Sequence, residues 1–571
     1  MPFSHSSALS RRASSAADRA LKAQQQRKYV KELWFFLAAV IALLAVIRVL
    51  RFLFSLSFKP LRTERESQQE KRASAETPWP GHHGRVFWRR FPGACATAFR
   101  TVAFRWTIPI GPSSVASVSE LTFIIGYIVA IFIWLLVDTR DLTTMFWEDR
   151  AAHFASSNLA LVVALAGKNN IISFLTGIGH EKLNILHRAA ARTCLILLWM
   201  HAGAHTALGL PEIFDFSHNW MRAGAVGLAA FTLATILSVR PIRQLAFEFF
   251  LVSHIVLIAV FLIAGVVHTR AVRFDDYIWP ALVIWALDRV VRLVRVVWNS
   301  KIWRGRKTCT SRATMELLSE DTVRLTFCRS FDWKPGQHAY IILPTISASP
   351  TEAHPFTISN IPKKMDGTVA EKEKNVVFII RGRGGFTRRL RERAAQNGIC
   401  DVPAFIDGPY GCPPDLRRFS TCILIAGGSG VSYTLPLFME SIRMAKMKAS
   451  STERVVFIWA VRDAGHLSWI STLLTEALSA APPWLAVEPR IYVTRVSGPT
   501  PDITLQQPNE SSSSVPTLES GAQGQPPKLP VYTALKVIHG RPSIRRLLQD
   551  EISTSKGPVS VDGGSTGCSR S

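Results

Sequence analysis

The chain has 571 residues, 48% of them apolar, and a formal net charge of +26. That length exceeds one ordinary domain and predicts two or three folded units. So basic a chain invites nucleic acid as a partner, but its Arg and Lys sit mainly in loops beside apolar spans and no recognised binding motif accompanies them, so no nucleic acid is expected; the eight cysteines form no CxxC pair, which argues against a zinc site and a disulfide framework.

Seven apolar segments long enough for a bilayer are predicted at about 33–56, 119–137, 156–178, 186–208, 221–239, 244–268 and 277–298. Arg48 and Arg51 weaken the first of them beyond Ile47. The loop 59–118 is basic, with Lys71, Arg72, Arg89 and Arg90, and so is the linker Lys301 to Lys307. The loop 138–150 carries Asp138, Asp141, Glu148 and Asp149, and the loop 209–220 carries Glu212 and Asp215. Alternating these loops puts the basic ones and everything after 299 in the cytosol, and the acidic ones outside. Parity then puts the N-terminus outside, although residues 1–31 hold Arg11, Arg12, Lys22, Arg27, Lys28 and Lys31. Either that segment is translocated despite its charge or the first span does not cross.

His187 and His201 share one predicted span, and His254 and His268 share another, both pairs fourteen residues apart. Fourteen steps bring a helix back to within about 40° of its starting face, some 21 Å (roughly) further along the axis. Both spans run inside to outside, so His187 meets His254 near the inner leaflet and His201 meets His268 near the outer. Two stacked bis-histidine sites are what two haems need for transmembrane electron transfer. The plainer reading is that such histidines bond between helices or line a proton path. His205, four residues after His201, is read as a packing residue, an outer-mouth metal contact or a false ligand. Arg188 and Arg192 beside the inner site either pair with haem propionates or mark topology.

From about 305 the texture turns to short alternating strands, "TVRLTFCRS" and "HAYIILP", predicting a small antiparallel barrel. "HPFTISN" at 354–360 offers a Thr hydroxyl and backbone groups to a flavin, and "GGFTRRL" at 384–390 reads as a helix start suited to a pyrophosphate, or as a capped surface helix with solvated arginines. From about 416, "CILIAGGSGVSYTLPLFMESI" reads as strand, Gly-rich turn and helix, a phosphate-cradling arrangement. Residues 499–530, rich in Ser, Pro, Gln and Gly, read as a disordered insertion.

With "EKLNILHR", "KPGQH", "DGPYG" and "WAVRD", these motifs resemble the ferric reductase and NADPH oxidase superfamily over about 120–545, the fungal ferric/cupric reductases above all. The resemblance implies a multi-domain chain: an N-terminal segment over 1–118, a polytopic α-helical membrane haem bundle over 119–298, an antiparallel β-barrel FAD domain over 305–415 and an α/β ferredoxin-reductase-like NADP domain over 416–571. Its cofactors would be two b-type haems, FAD and NADPH. His187, His254, His201 and His268 match the haem-ligand positions. His354, Pro355, Phe356 and Thr357, with Gly385, Phe386 and Thr387, match the FAD motifs. Gly408, Pro409, Tyr410 and Gly411, with Ala426, Gly427, Gly428, Ser429, Gly430, Val431 and Ser432, match NADP contacts. No side chain is assigned acid–base or nucleophilic catalysis. The implied activity is reduction of extracellular Fe(III), or Cu(II), chelates for metal uptake at the plasma membrane, with nucleotide domains in the cytosol and a metal permease or oxidase downstream. A superoxide-producing oxidase and a truncated, non-catalytic haem protein are the alternatives. Members of that family continue with a strand ending in Cys-Gly-Pro, then a helix and an aromatic C-terminal segment, whereas this chain reads "GPVSVDGGSTGCSRS". Val559 and Val561 would begin that strand, and the missing remainder is expected to leave a sheet edge unpaired, normal haem binding and slow NADPH turnover.

Overall fold

The structure is a computed structural model. It describes residues 16–57, 95, 98–99, 101–109, 114–139, 142–208, 216–271, 277–300, 312–329, 331–350, 352–362, 374–495, 536–555 and 557–565. Asp141, Glu212, Asp215, the basic residues between 59 and 94, Lys301 to Lys307 and the expected insertion at 499–530 lie outside the described residues. The chain divides into two compact units, Met1–Val291 and Arg292–Ser571.

The first unit is built on long helices: α1 (Ala16–Ser57), α2 (Val118–Leu136), α3 (Thr144–Ala166), α4 (His180–Leu208), α5 (Asn219–Leu237), α6 (Phe247–Ala271) and α7 (Trp279–Ser300), the last running into the second unit. Four of them, Ala17–Leu53 of α1, α2, α5 and α6, are long and apolar enough to cross a bilayer, making this a multi-pass membrane protein. Ser117 starts α2 with a capping box: its backbone N–H donates to Glu120 Oε2 at 2.8 Å, and its hydroxyl accepts from the Glu120 N–H.

The third span departs from expectation, running 144–166 and not 156–178. Glu148, Asp149 and Arg150, expected in an outer loop, are therefore helical, and Arg150 is fully buried. Hydropathy penalises such a segment because it cannot see partners. Arg150 donates to the last carbonyls of α2, at 3.1 Å from Leu135 O and 2.6 Å from Val137 O, and to Gln25 Oε1 at 2.8 Å. Lys22 bridges Glu148 at 3.0 Å and Asp149 at 2.7 Å. The first helix likewise begins before the predicted 33–56, and its buried residues (Gln25, Gln26, Tyr29, Val30, Leu33 and Leu37) lie in its N-terminal half. Tyr29 bonds Asp138, while Arg48 at the other end bonds the Phe174 carbonyl. The N-terminal end of α1 thus lies beside the start of α3, and α1 runs the length of the bundle.

Among the described residues, the second unit holds two antiparallel sheets and one parallel sheet. Strands β1 (Arg312–Ser319), β2 (Thr322–Arg329), β5 (Lys374–Arg381) and β6 (Cys400–Pro403) form a sheet in the order β5-β2-β1-β6. Strands β3 (His338–Ile342), β4 (His354–Thr357) and β7 (Phe405–Tyr410) form another, in the order β4-β3-β7. Helix α8 (Gly385–Asn397) buries Phe386, Leu390 and Ala394 in the shared core with Leu325, Phe378 and Ile406. This is the antiparallel domain expected for FAD. The α/β domain has strands β8 (Thr421–Gly427), β9 (Arg454–Val461), β10 (Ala486–Val493), β11 (Lys536–His539) and β12 (Val559–Ser565), all parallel, in the order β11-β10-β9-β8-β12. Helices α9 (Val431–Lys446) and α10 (Ser471–Ser479) cover one face and α11 (Ile544–Thr554) packs Leu547 and Leu548 on the other.

The last strand begins at Val559 as expected and stands at the end of the sheet order, with no partner strand on its outer side among the described residues. Val559–Ser565 pairs in unbroken register along the whole of β8, from Thr421↔Val559 to Gly427↔Ser565. The edge of β8 is covered, because the alternation of Val559 and Val561 supplies an apolar face for Ile423 and α11.

Candidate haem, flavin and nucleotide sites

The four predicted histidines fall on α4 and α6, and each has its Nδ1 on a backbone carbonyl of a neighbouring helix. His187 Nδ1 lies 2.8 Å from Val162 O and His201 Nδ1 lies 3.2 Å from Glu148 O, both on α3. His254 Nδ1 lies 3.4 Å from Ala234 O and His268 Nδ1 lies 3.0 Å from Trp220 O, both on α5. The accepting carbonyls are themselves fourteen residues apart on each helix, in reverse order, as antiparallel neighbours require. A carbonyl only accepts, so the proton sits on Nδ1 and Nε2 keeps its lone pair. That is how a metal-ligating imidazole is normally held.

His201 and His268 line one cavity of about 490 Å³ together with Trp220, Gly224 and Phe261. Gly224 is required there: a Cβ on it would lie 2.6 Å from His268 Nδ1. His187 and His254 repeat the arrangement fourteen residues away, His187 against α3 and His254 against α5. Near them Arg188 feels the charges of Arg192 and Arg243, and its buried Nε has no partner among the described residues. A haem fits this donor set: paired, oriented Nε2 atoms, an apolar cavity at the outer pair, and an arginine atom awaiting an anion at the inner pair. The sequence showed the histidines but not their carbonyl partners or Gly224, which only helix pairing reveals.

In the antiparallel domain, His354 stacks on Phe386 with ring centroids 4.2 Å apart, and its Nε2 lies 2.6 Å from Glu352 Oε1. Glu352 also takes Arg389 at 3.2 Å. Burial alone would raise the Glu352 carboxyl, but His354 and the Ala348 N–H hold it below its usual range. Thr387 Oγ1 accepts from the Gly384 N–H at 3.3 Å and donates to Gly384 O at 2.9 Å, closing the first turn of α8. Nothing crowds Gly384 or Gly385, so an anion can approach this helix start. Arg388 follows the plainer reading, exposed and paired with Glu392 at 2.7 Å, whereas Arg389 is half-buried against Glu352 and the Ile346 carbonyl. Phe356 and Thr357 lie on β4, which pairs with β3.

Gly408, Pro409, Tyr410 and Gly411 lie on or just after β7, in the same sheet as His354–Thr357 and not in the parallel sheet. The Tyr410 hydroxyl donates to the buried Asp407 at 2.6 Å, and Asp407 takes Arg292 at 3.0 Å. Burial first, then the Asp407 charge, pushes the Tyr410 hydroxyl up, keeping it a neutral donor. Asn299 donates to Gly408 O at 2.7 Å.

Ala426 and Gly427 end β8, Gly428, Ser429 and Gly430 form one tight turn, and Val431 and Ser432 open α9. Gly428 has φ +54°, a conformation glycine adopts freely, and Trp459 Nε1 holds its carbonyl at 2.9 Å. Gly427 faces open space and Gly428 has room up to the Arg381 side chain, while Ala426, Ser429, Gly430 and Val431 form the buried floor. Sequence reasoning missed Arg381. Its Nη1 lies 3.8 Å from where a Gly428 Cβ would stand, and its Nε is held by Asp321 at 2.6 Å. The only signal was a basic residue ending a strand.

Three family models match the chain: a ferric reductase like transmembrane component over residues 151–265, an FAD-binding domain over 308–414 and a ferric reductase NAD binding domain over 419–561. A probable cell surface ferric reductase of Aspergillus oryzae is 28% identical over 347 residues, covering 58% of this chain and 46% of that protein. Ferric/cupric reductase transmembrane component 1 of Candida albicans is 24% identical over 433 residues, covering 72% and 52%. The chain spans about half the length of these curated relatives. Among solved structures, a flavohemoglobin from Malassezia yamatoensis aligns with 72% of this chain and 95% of its own, at 14% identity and a TM-score of 0.28.

Proposed function

Because this chain belongs to the ferric reductase family, with FAD- and NAD-binding domains following its transmembrane component, we propose that it is a metalloreductase carrying electrons from NADPH, through FAD and two b-type haems, to Fe(III) or Cu(II) outside the plasma membrane. FAD when bound converts a two-electron hydride donor into a one-electron source, and the haems relay single electrons across the bilayer. The chain's own residues hold and orient. Gly427 and Gly428 let the NADPH phosphates approach the start of α9, with Arg381 above them. His354 to Thr357 and the start of α8 hold the flavin. His187 with His254, and His201 with His268, offer Nε2 lone pairs at two depths. Arg188 takes a propionate. The reduced metal then passes to a permease or oxidase for uptake.

One observation carries the reading: all four histidines have Nδ1 committed to a carbonyl at the same helical interval. Histidines serving only to bond helices together, or to relay protons, have no need of that matched tautomer. The test is NADPH-driven reduction in membranes, with an Fe(III) chelate, Cu(II) and oxygen compared as acceptors. Reduction of the metals is expected. Superoxide formation with no metal dependence selects an oxidase instead, and spectrally normal haem that NADPH cannot reduce refutes both.

A further inference from the structure

His205 and Asp149 have no part in the electron path above, yet they sit at the outer cavity beside it. His205 Nε2 lies 3.0 Å from Asp149 Oδ1, and the His201 Nδ1 lies 3.7 Å from the same oxygen. Asp149, His201 and His205 offer ligand atoms within 4.8 Å of one another, and all three line the cavity that also holds His268. Lys22 is shared between Glu148 and Asp149. One ammonium is shared by two carboxylates, so with His205 neutral the cluster is one cation short. Glu148 Oε2 is buried with no partner among the described residues, and the Glu148 and Asp149 side chains are only 10% and 32% exposed. An excess anion in so sheltered a place is costly without a cation.

We propose that Asp149 Oδ1 and His205 Nε2 form the acceptor-metal site, holding Fe(III) or Cu(II) one helical turn from His201. The inference rests on the metalloreductase reading. His201 is left out because its Nδ1 faces the Glu148 carbonyl and its Nε2 is reserved for haem iron. Two donors on one first-row metal, with bonds of about 2.1 Å at right angles, stand roughly 3.0 Å apart. That is the separation between His205 Nε2 and Asp149 Oδ1. A metal can therefore replace their hydrogen bond without drawing the two donors apart, the imidazole and carboxylate turning their lone pairs toward it while Lys22 stays on Oδ2. Imidazole with carboxylate suits both ions, and only two protein ligands leave positions for water or a chelator's donors. The rings of His201 and His205 are 4.6 Å apart, so the electron's last step is short. The balance is NADPH + 2 Fe(III) → NADP⁺ + H⁺ + 2 Fe(II), each metal ion gaining one electron.

The experiment uses the full chain with haem and FAD in lipid nanodiscs, comparing His205→Ala, His205→Gln and Asp149→Asn with the unaltered protein. Equilibrium dialysis against Cu(II), without NADPH, measures binding apart from turnover. The expected result is one Cu(II) per chain, lost in all three variants, with the content of both haems unchanged. In turnover, the ratio of Cu(II) to ferricyanide reduction falls at least tenfold. Cu(II) binding that survives in His205→Ala overturns the proposal. So does loss of the outer haem in both His205 variants, which makes His205 part of the haem site. If the unaltered protein reduces no metal ion, the metalloreductase reading fails by itself, and dialysis still decides whether this site exists.

Discussion

Gly224→Ala perturbs the outer haem site through a single methyl group. The added Cβ would stand 2.6 Å from His268 Nδ1, 2.8 Å from its Cε1 and 3.1 Å from its Cγ. The ring cannot keep its place, because His268 is held at 3.0 Å by the Trp220 carbonyl from the same helix as Gly224. Overpacking of this kind costs about 1–3 kcal/mol, and the displaced hydrogen bond about 1 kcal/mol more. Together these weaken the outer site by about 2–4 kcal/mol, roughly thirtyfold to several hundredfold in affinity. The helix itself gains about 1 kcal/mol from Ala over Gly, so the bundle stays folded while haem is lost. Gly227→Ala is the control one turn away: its Cβ would meet Ala264 Cβ at 3.5 Å, an ordinary contact. The assay is haem per chain by pyridine haemochrome, with a redox titration of what remains. Gly224→Ala should fall toward one haem and Gly227→Ala should keep two. Two haems in Gly224→Ala, with the outer midpoint potential unmoved, would refute the assignment of His268.

The remaining substitutions divide between membrane and nucleotide sites. His201→Ala or His268→Ala should remove the outer haem and leave much of the inner one, read as loss of one component in the reduced-minus-oxidised spectrum; both haems at full occupancy would end the pairing. Arg381→Ala should raise the KM for NADPH about tenfold or more, as loss of a charge-assisted contact implies, and leave haem content alone; an unchanged KM would take Arg381 out of the nucleotide site.

How much of this was legible follows from what kind of signal each feature leaves. The histidine ladder was fully visible, because a spacing of fourteen is a property of one helix at a time. The third helix was misplaced because its charges are satisfied by distant residues: Arg150 by carbonyls of α2 and by Gln25, Glu148 and Asp149 by Lys22. Hydropathy adds residues along the chain and cannot register a partner on another helix, whether thirteen positions away, as Val137 is, or more than a hundred, as Gln25 and Lys22 are. The Gly-rich turn was visible as a strand–turn–helix pattern, whereas Arg381 was not, since it reaches the turn from another sheet. The β12 strand was half legible: Val559 and Val561 alternate properly, whereas Gly563 and Gly564 offer no side chain to signal a strand and yet continue it beside β8.

Contacts within the bundle place the start of α1 at the end that holds His201, which the proposed topology puts outside, against the charge rule. Positive residues favour the cytosol, and Arg19, Lys22, Arg27, Lys28 and Lys31 are all near this end. Yet Lys22 is 17% exposed and lies between two sheltered carboxylates, Tyr29 bonds Asp138, and Gln25 receives Arg150. Withdrawing that end to the opposite face would leave Glu148 and Asp149 without their cation, and breaking a buried pair costs about 3–5 kcal/mol. These are the same residues that stand beside His201, whose carbonyl partner is Glu148. The start of α1 therefore shares a face with the outer histidine pair. An epitope placed ahead of Ala16 should be reached by antibody or protease on intact cells, and Lys22→Ala should lower that fraction by freeing α1 from its anchor. Exposure only after permeabilisation, in the unaltered chain, would mean that the pairing of α1 with α3 is wrong.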